Sequence, residues 1–219
     1  MKFEARTLQI LKNFSIINPS LQFKEGSNLA TVSPNKTVMA KASIKEQIPS
    51  TFAIYDLSKF LGVLSLFDSP EIGLEDKYLV IKGNNKQVQY TYADPRNIVL
   101  PGDKEIKLPE LEIKFTLTSD TLQSVLKAMG VLGLPEIAVT GENGILSVQA
   151  VNVKNPSSDN FSIEVGQTPL TFKMIFLAEN IKIIQDDYDV SISSKGIAHF
   201  KGKDIEYWVA TESSSTFKG

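Results

Sequence analysis

The stretch Phe52–Phe67, FAIYDLSKFLGVLSLF, decides how the chain is read. Thr51 to Tyr55 is rich in β-branched and aromatic residues, which suit an extended strand. Asp56 follows with a short carboxylate able to cap a helix, and Leu57, Phe60, Leu61 and Leu64 then recur at the spacing of one helical face. A strand, a turn at Asp56 and an amphipathic helix starting at Leu57 are therefore expected. Lys59 falls off the apolar stripe.

The same alternation of strands and helices extends outward in both directions. Toward the N-terminus, Lys2 to Arg6 reads as a short strand, and Leu8, Leu11, Phe14 and Ile17 mark a first helix that stops near Pro19. Leu21 to Glu25 alternates, and Asn28–Ser33 with Thr37–Ile44 flank the turn Ser33-Pro34-Asn35-Lys36, a hairpin pattern. Beyond the quoted stretch, Tyr78–Lys82 and Gln87–Tyr92 are joined through Gly83-Asn84-Asn85-Lys86, a second hairpin. Residues 94–110, DPRNIVLPGDKEIKLPE, carry three prolines and neither period. They read as an extended connector between two domains, 1–108 and 109–219.

After the connector the order recurs. Leu111–Thr118 reads as a strand, Ser119 or Asp120 as a cap, and Leu122, Val125, Leu126 and Met129 as the buried face of a third helix. An Asn143-Gly144 turn joins a hairpin over Glu136–Val153. Strands at Phe161–Val165 and Leu170–Phe176 lead to a fourth helix with the stripe Leu177, Ile181 and Ile184, and three final strands follow. Phe52 set on Phe172 brings Leu57 onto Leu177, Leu61 onto Ile181 and Leu64 onto Ile184. Thr7-Leu8-Gln9 likewise echoes Thr121-Leu122-Gln123. The expected fold class is α+β, a duplicated unit of two helices and antiparallel strands.

Composition excludes several functions. The 219 residues and 42% hydrophobic content can bury a substantial core, no run approaches the roughly 20 apolar residues of a membrane span, and Glu4 breaks any apolar leader. No membrane association and a cytosolic location are expected. Without cysteine there are no disulfides or thiolate metal sites, and a net charge of -2 gives no overall basic field, so contact with a polyanion must be local. The single histidine, His199, lies in an alternating strand with no catalytic partner in view and reads as a packed or surface residue. Asp186, Asp187 and Asp189 lack the pattern of a calcium loop and read as a solvated turn, with a magnesium site as the other reading. No Gly-rich phosphate loop occurs. No catalytic residue, metal or cofactor is expected.

The runs Ile10–Phe14, Phe52–Leu66, Ala93-Asp94-Pro95, Asn180-Ile181-Lys182 and Gly196–Glu212, in this order and spacing, resemble the DNA polymerase sliding clamps of T-even-type bacteriophages. The resemblance spans nearly the whole chain. It implies the DNA-clamp fold, a homotrimeric ring around double-stranded DNA with helices lining the hole, and a non-enzymatic processivity role in phage replication. It further implies DNA polymerase and an ATP-dependent clamp loader as partners, coupling to late transcription, and action at replication forks in the host bacterial cytoplasm. Head-to-tail copies of one unit can close such a ring by rotation.

Opposite the apolar stripes, each expected helix offers one lysine: Lys12, Lys59, Lys127 and Lys182. Lys2 and Arg6 precede the first helix. These six are the expected DNA-facing residues, and solvation of an exposed helix face is the other reading. Ile98, Val99 and Leu100 form an apolar run inside the connector. By the resemblance Ile98 and Leu100, with Trp208 and Ala210 of the last strand, line a groove for partner peptides; sealing of the interdomain core fits the same residues. A duplicated assembly subunit that does not bind DNA explains the repeat equally well, but not a lysine on every helix.

Overall fold

The structure, a computed structural model, describes residues 1–102, 108–155 and 157–219. The chain separates into two units, Met1–Lys104 and Glu105–Gly219. Residues 103–107 of the expected connector, and Pro156, lie outside the described residues.

The first unit runs α1 (Ala5–Ile17), β1 (Leu21–Phe23), β2 (Gly26–Val32), β3 (Val38–Ile48), β4 (Phe52–Ile54), α2 (Leu57–Leu64), β5 (Glu71–Leu74), β6 (Tyr78–Gly83) and β7 (Lys86–Thr91). The expected strand at Lys2–Arg6 is absent because α1 already begins at Ala5. Instead the Met1 amine donates to Ile72 O at 2.6 Å and Ile72 N donates back to Met1 O at 2.8 Å, tying the N-terminus to β5. Helix α1 buries Ile10, Leu11, Phe14 and Ile17, so Ile10 replaces the half-exposed Leu8 in the expected stripe. Its first turn has no cap of its own. Glu46 of β3 supplies one, accepting from the Glu4 N–H and from Thr7 Oγ1 at 2.7 Å. A carboxylate there satisfies orphan donors and complements the positive end of the helix dipole.

The quoted stretch folds as read. Phe52, Ala53 and Ile54 are buried in β4, which pairs antiparallel with β1. Asp56 accepts from Lys59 N at 2.8 Å, and α2 buries Leu57, Phe60 and Leu64, leaving Leu61 half-buried. Phe23 stacks on Phe52 with ring centroids 4.6 Å apart and meets Phe60 edge-on at 6.3 Å, while Phe60 meets Tyr90 at 5.4 Å. These rings join β1, β4, α2 and β7 into one core, each pair adding about 0.5–1.5 kcal/mol beyond its buried area. β2 and β3 form the expected hairpin, and β5, β6 and β7 form an antiparallel sheet. Asn84 and Asn85, at φ of 48° and 60°, make the tight two-residue turn between β6 and β7.

The second unit runs β8 (Ile113–Leu117), α3 (Ser119–Leu132), β9 (Glu136–Glu142), β10 (Ile145–Val151), β11 (Phe161–Gln167), β12 (Phe172–Leu177), β13 (Tyr188–Ser193), β14 (Ile197–Lys201), β15 (Ile205–Ala210) and β16 (Thr216–Phe217). One sheet has the order β11-β10-β9-β12-β16, and β8, β13, β14 and β15 pair antiparallel as β8-β13-β14-β15. Helix α3 buries Leu122, Val125 and Met129 and ends at Gly133, whose φ of 64° needs no Cβ. Leu122, Val125, Val148, Phe176, Ile183 and Phe200 are among the apolar side chains around a cavity of about 20 Å³ in this core. Gly141 of β9 is required by packing, since a Cβ there would sit 2.5 Å from Leu170 O and from the Phe172 ring.

The expected fourth helix does not form. Phe172 does open a strand, as Phe52 does, but Leu177 ends β12 and only a 3₁₀ turn, Ala178–Asn180, follows before chain without regular structure. Ile181, Ile183 and Ile184 are all buried, and β-branched residues give the segment little helical propensity. Tyrosine hydroxyls replace helical hydrogen bonds at Ile184. Its N–H donates to Tyr207 Oη at 3.2 Å, and its carbonyl accepts from Tyr188 Oη at 2.7 Å. Both rings are fully buried and meet edge-on at 6.0 Å.

Tyr207→Phe keeps the ring but strands the buried Ile184 N–H, so urea unfolding should show a loss of about 1–3 kcal/mol. Tyr188→Phe should cost a similar amount through the carbonyl. A loss below about 0.5 kcal/mol for both would mean that the three isoleucines alone hold the segment.

Candidate DNA-facing and partner-binding surfaces

Lys12 lies on the solvent side of α1, Lys59 on that of α2 and Lys127 on that of α3, all three exposed. Among the described residues none of the three has a salt-bridge partner. The expected pattern holds at these positions because each helix buries the stripe opposite its lysine. The other three cations are placed differently. Lys182 sits half-buried on the irregular segment after the 3₁₀ turn, not on a helix. Lys2 Nζ lies 3.3 Å from Glu71 Oε1, and Arg6 donates to Gln9 Oε1 at 2.9 Å. α1 and α2 are packed neighbours in the first unit.

A carboxylate stands at the N-terminus of each of α1, α2 and α3. Glu46 occupies the first turn of α1 and Asp56 that of α2. Asp187 accepts the Ser119 N–H at 2.7 Å, at the start of α3, beside Thr118 Oγ1, which accepts from Thr121 N. Asp187 thus has a structural task in the turn expected for the aspartate cluster, and Asp189 stands on β13 opposite Lys201.

The start of the connector is fastened to the first unit at two points. Ala93 N donates to Ala53 O at 2.8 Å. Asn18, the residue that ends α1, is 2% exposed, and its Nδ2 donates to Val99 O and to Val32 O, each at 3.0 Å, while Oδ1 accepts from Ser20 N and Oγ. Between them Asp94 caps a 3₁₀ turn, Pro95–Asn97. The backbone at Val99 is held, while Ile98 and Leu100 remain half-buried. The Arg96 guanidinium and backbone N–H hydrogen-bond the Asp94 carboxylate and hold its pKa down to about 2.

In the second unit, Tyr207 and Val209 of β15 point into the core, so Glu206, Trp208 and Ala210 share the opposite face. Trp208 is 8% exposed and Ala210 half-buried. His199 of β14 is the cross-strand partner of Trp208, and their rings stack with centroids 4.8 Å apart at 11°. His199 Nε2 lies 2.8 Å from Glu206 Oε2, and because a carboxylate only accepts, Nε2 carries the proton. The histidine is packed, and its partners are aromatic and acidic.

Several of these contacts escape sequence reasoning. Asn18 directly before Pro19 carries a recognisable helix-end signal, but its grip on Val99 spans 81 positions. Glu46 and Asp187 act on helices 42 and 68 positions away, and no local pattern marks them.

Comparison with known proteins covers both units. Residues 2–100 match the family described as DNA polymerase processivity factor, and residues 114–213 match that described as gp45 sliding clamp, C terminal. The chain is 34% identical to a sliding clamp of Vibrio phage KVP40 over 97% of its own length and 99% of the relative's. It is 32% identical to the sliding clamp of Enterobacteria phage T4 over 99% of both chains. Its fold resembles that of Proliferating Cellular Nuclear Antigen from Entamoeba histolytica, with a TM-score of 0.70 at 14% identity over 96% of this chain and 97% of that one.

The Asp94–Arg96 pair gives a pH signature. The folded pKa of Asp94 is lowered, to about 2, so the cap's stabilisation is present above the unfolded carboxylate value near pH 4 and is lost as pH falls through about 2. NMR titration of the Asp94 carboxyl should find its midpoint near pH 2, and Arg96→Ala should return it toward about 4.

Proposed function

The chain belongs to the sliding-clamp family of DNA polymerase processivity factors, and we propose that it encircles duplex DNA as a head-to-tail homotrimer and tethers the replicative polymerase. The observation that carries this reading is similarity to named sliding clamps over essentially the whole chain, both units included. It favours a clamp over a DNA-free assembly subunit. On this reading the two units are the two clamp domains, 1–108 and 109–219, joined through residues 94–110.

Lys12, Lys59 and Lys127 are the principal DNA-facing residues. Long exposed ammonium groups reach phosphates, carry no base readout and release counterions, so they hold duplex loosely at any sequence. Lys2 and Arg6 add to the same charge at the start of α1, offset by Glu71 and by the neighbouring Glu4, and Lys182 contributes from the irregular segment after β12. Retention on DNA then comes from ring closure.

Ring closure needs two different surfaces on each copy. β7 of the first unit and β11 of the second are both sheet edges among the described residues. On β11 the half-buried Phe161, Ile163 and Val165 alternate with exposed Ser162, Glu164 and Gly166, the pattern of a strand that adds to another edge. We assign β11 to the contact with the next copy.

Ile98 and Leu100 in the first unit, and Trp208 and Ala210 in the second, are the residues that take short tails of the polymerase and other replication proteins. The fixed backbone at Val99 supports this role, because a preorganised segment loses less entropy when a peptide docks beside it. The chain does no chemistry of its own, and opening of the ring falls to a separate ATP-dependent clamp loader, in keeping with a sequence that has no phosphate-cradling loop. No described helix is long and apolar enough to cross a membrane. The site of action is the replication fork in the host cytoplasm.

Replacing Lys12, Lys59 and Lys127 together with glutamate should leave circular dichroism and the thermal midpoint unchanged while reducing processive synthesis and loading on primed DNA; unchanged product lengths would reject the assignment. Light scattering should give a mass near three times 24.2 kDa. Ile163→Lys with Val165→Lys should move that mass toward one chain without unfolding it.

A further inference from the structure

We propose that His199 is a positioning residue for the partner-binding surface: fixed by Glu206, its imidazole is the platform that presets the indole of Trp208 for an apolar anchor of a docking peptide. The proposal rests on the reading of Trp208 as part of that surface.

Trp208 occupies an unusual place for a large aromatic. Glu206, Trp208 and Ala210 alternate with the core residues Ile205, Tyr207 and Val209, so the indole lies on the non-core face of its strand. On β14, β13 and β8 the residues of that face are mostly polar. Lys114, Ser191 and His199 stand in one row with Trp208, and Thr116, Asp189 and Lys201 in the next row with Glu206. Lys114, Thr116, Asp189 and Lys201 are exposed. The apolar exceptions beside Trp208 are the half-buried Ile197 and Ala210, which pair with each other across the strands. They form one apolar spot on a charged sheet face.

Two constraints determine the imidazole. The 4.8 Å stack at 11° sets the plane of the ring, and the Nε2 bond to Glu206 at 2.8 Å sets its rotation within that plane. The side chains of His199 and Glu206 are 15% and 33% exposed, so the pair is shielded without leaving the surface. An indole has two side-chain torsions, and this one is 8% exposed with the imidazole stacked on it. A ring lying against one of its faces removes alternatives before a partner arrives, and preorganisation of this kind reduces the ordering cost of binding.

Trp208 is the only tryptophan in the chain, so its fluorescence reports on the platform with no partner present. In the full-length protein, His199→Ala should make Trp208 more accessible to acrylamide quenching, and His199→Phe, which keeps the stack, should restore protection. Glu206→Gln should leave protection nearly intact, because an amide can still accept from Nε2. Affinity for a synthetic peptide copying the C-terminal tail of the cognate replicative polymerase should fall about tenfold in His199→Ala and recover in His199→Phe.

Circular dichroism of each variant checks the fold. Folded His199→Ala with parental quenching and parental peptide affinity overturns the positioning role while Trp208→Ala still weakens the peptide. If Trp208→Ala binds the peptide as tightly as the parent, the surface itself is misassigned, and the proposal falls with it. Should His199→Ala not fold, the decision passes to His199→Phe and Glu206→Gln: a loss of affinity in both with unchanged quenching would assign the effect to a direct polar contact of His199 and reject the platform.

Discussion

Where a short helix or an irregular segment meets a sheet, its unpaired backbone groups must find partners, and this constraint shapes the whole chain. Asn18 is the clearest case. One buried amide closes the end of α1, bridges to Val32 and holds the connector at Val99. Glu46 at α1, Asp187 at α3 and the hydroxyls of Tyr188 and Tyr207 at Ile184 meet the same need elsewhere. Buried polar groups left unsatisfied are costly, so these few side chains tie helix ends, connector and sheets into fixed relations within each unit. Apolar packing supplies most of the stabilising free energy; these bonds fix register and direction.

Much of the fold is legible in the sequence because its signals are local. Asp56 followed by Leu57, Phe60 and Leu64 carries both cap and stripe within nine positions, and α2 forms as read. The hairpin turns at Asn84-Asn85 and Asn143-Gly144 are legible for the same reason, since few residues accept positive φ. The fourth helix is misread because Leu177, Ile181 and Ile184 match a helical spacing by themselves. What no local pattern shows is that two tyrosines arriving from later strands bind the backbone of Ile184 in place of helical partners. Lys182 is displaced from the expected helical face by this one error.

The candidate surfaces divide along the same line. Lys12, Lys59 and Lys127 are legible because a helix's exposed face is set by the stripe it buries. Availability is not legible: Glu71 beside Lys2 and Gln9 beside Arg6 appear only once the chain is folded. Trp208 is found from its strand, but its pairing with His199 depends on the register across the β14–β15 turn, which a sequence period of two does not fix.

The capped helix ends carry a further meaning for a protein that travels along its ligand. A bare helix N-terminus is a stationary anion trap, with backbone donors frozen in place. Here Glu46, Asp56 and Asp187 fill those positions on α1, α2 and α3. On the proposed reading, the positive charge offered to phosphate sits on the lysine tethers of Lys12, Lys59 and Lys127, each several bonds long and able to release one oxygen while reaching for another. A surface of that kind would have no preferred stopping points along the duplex, and its energy profile for translocation would be shallow and its friction low.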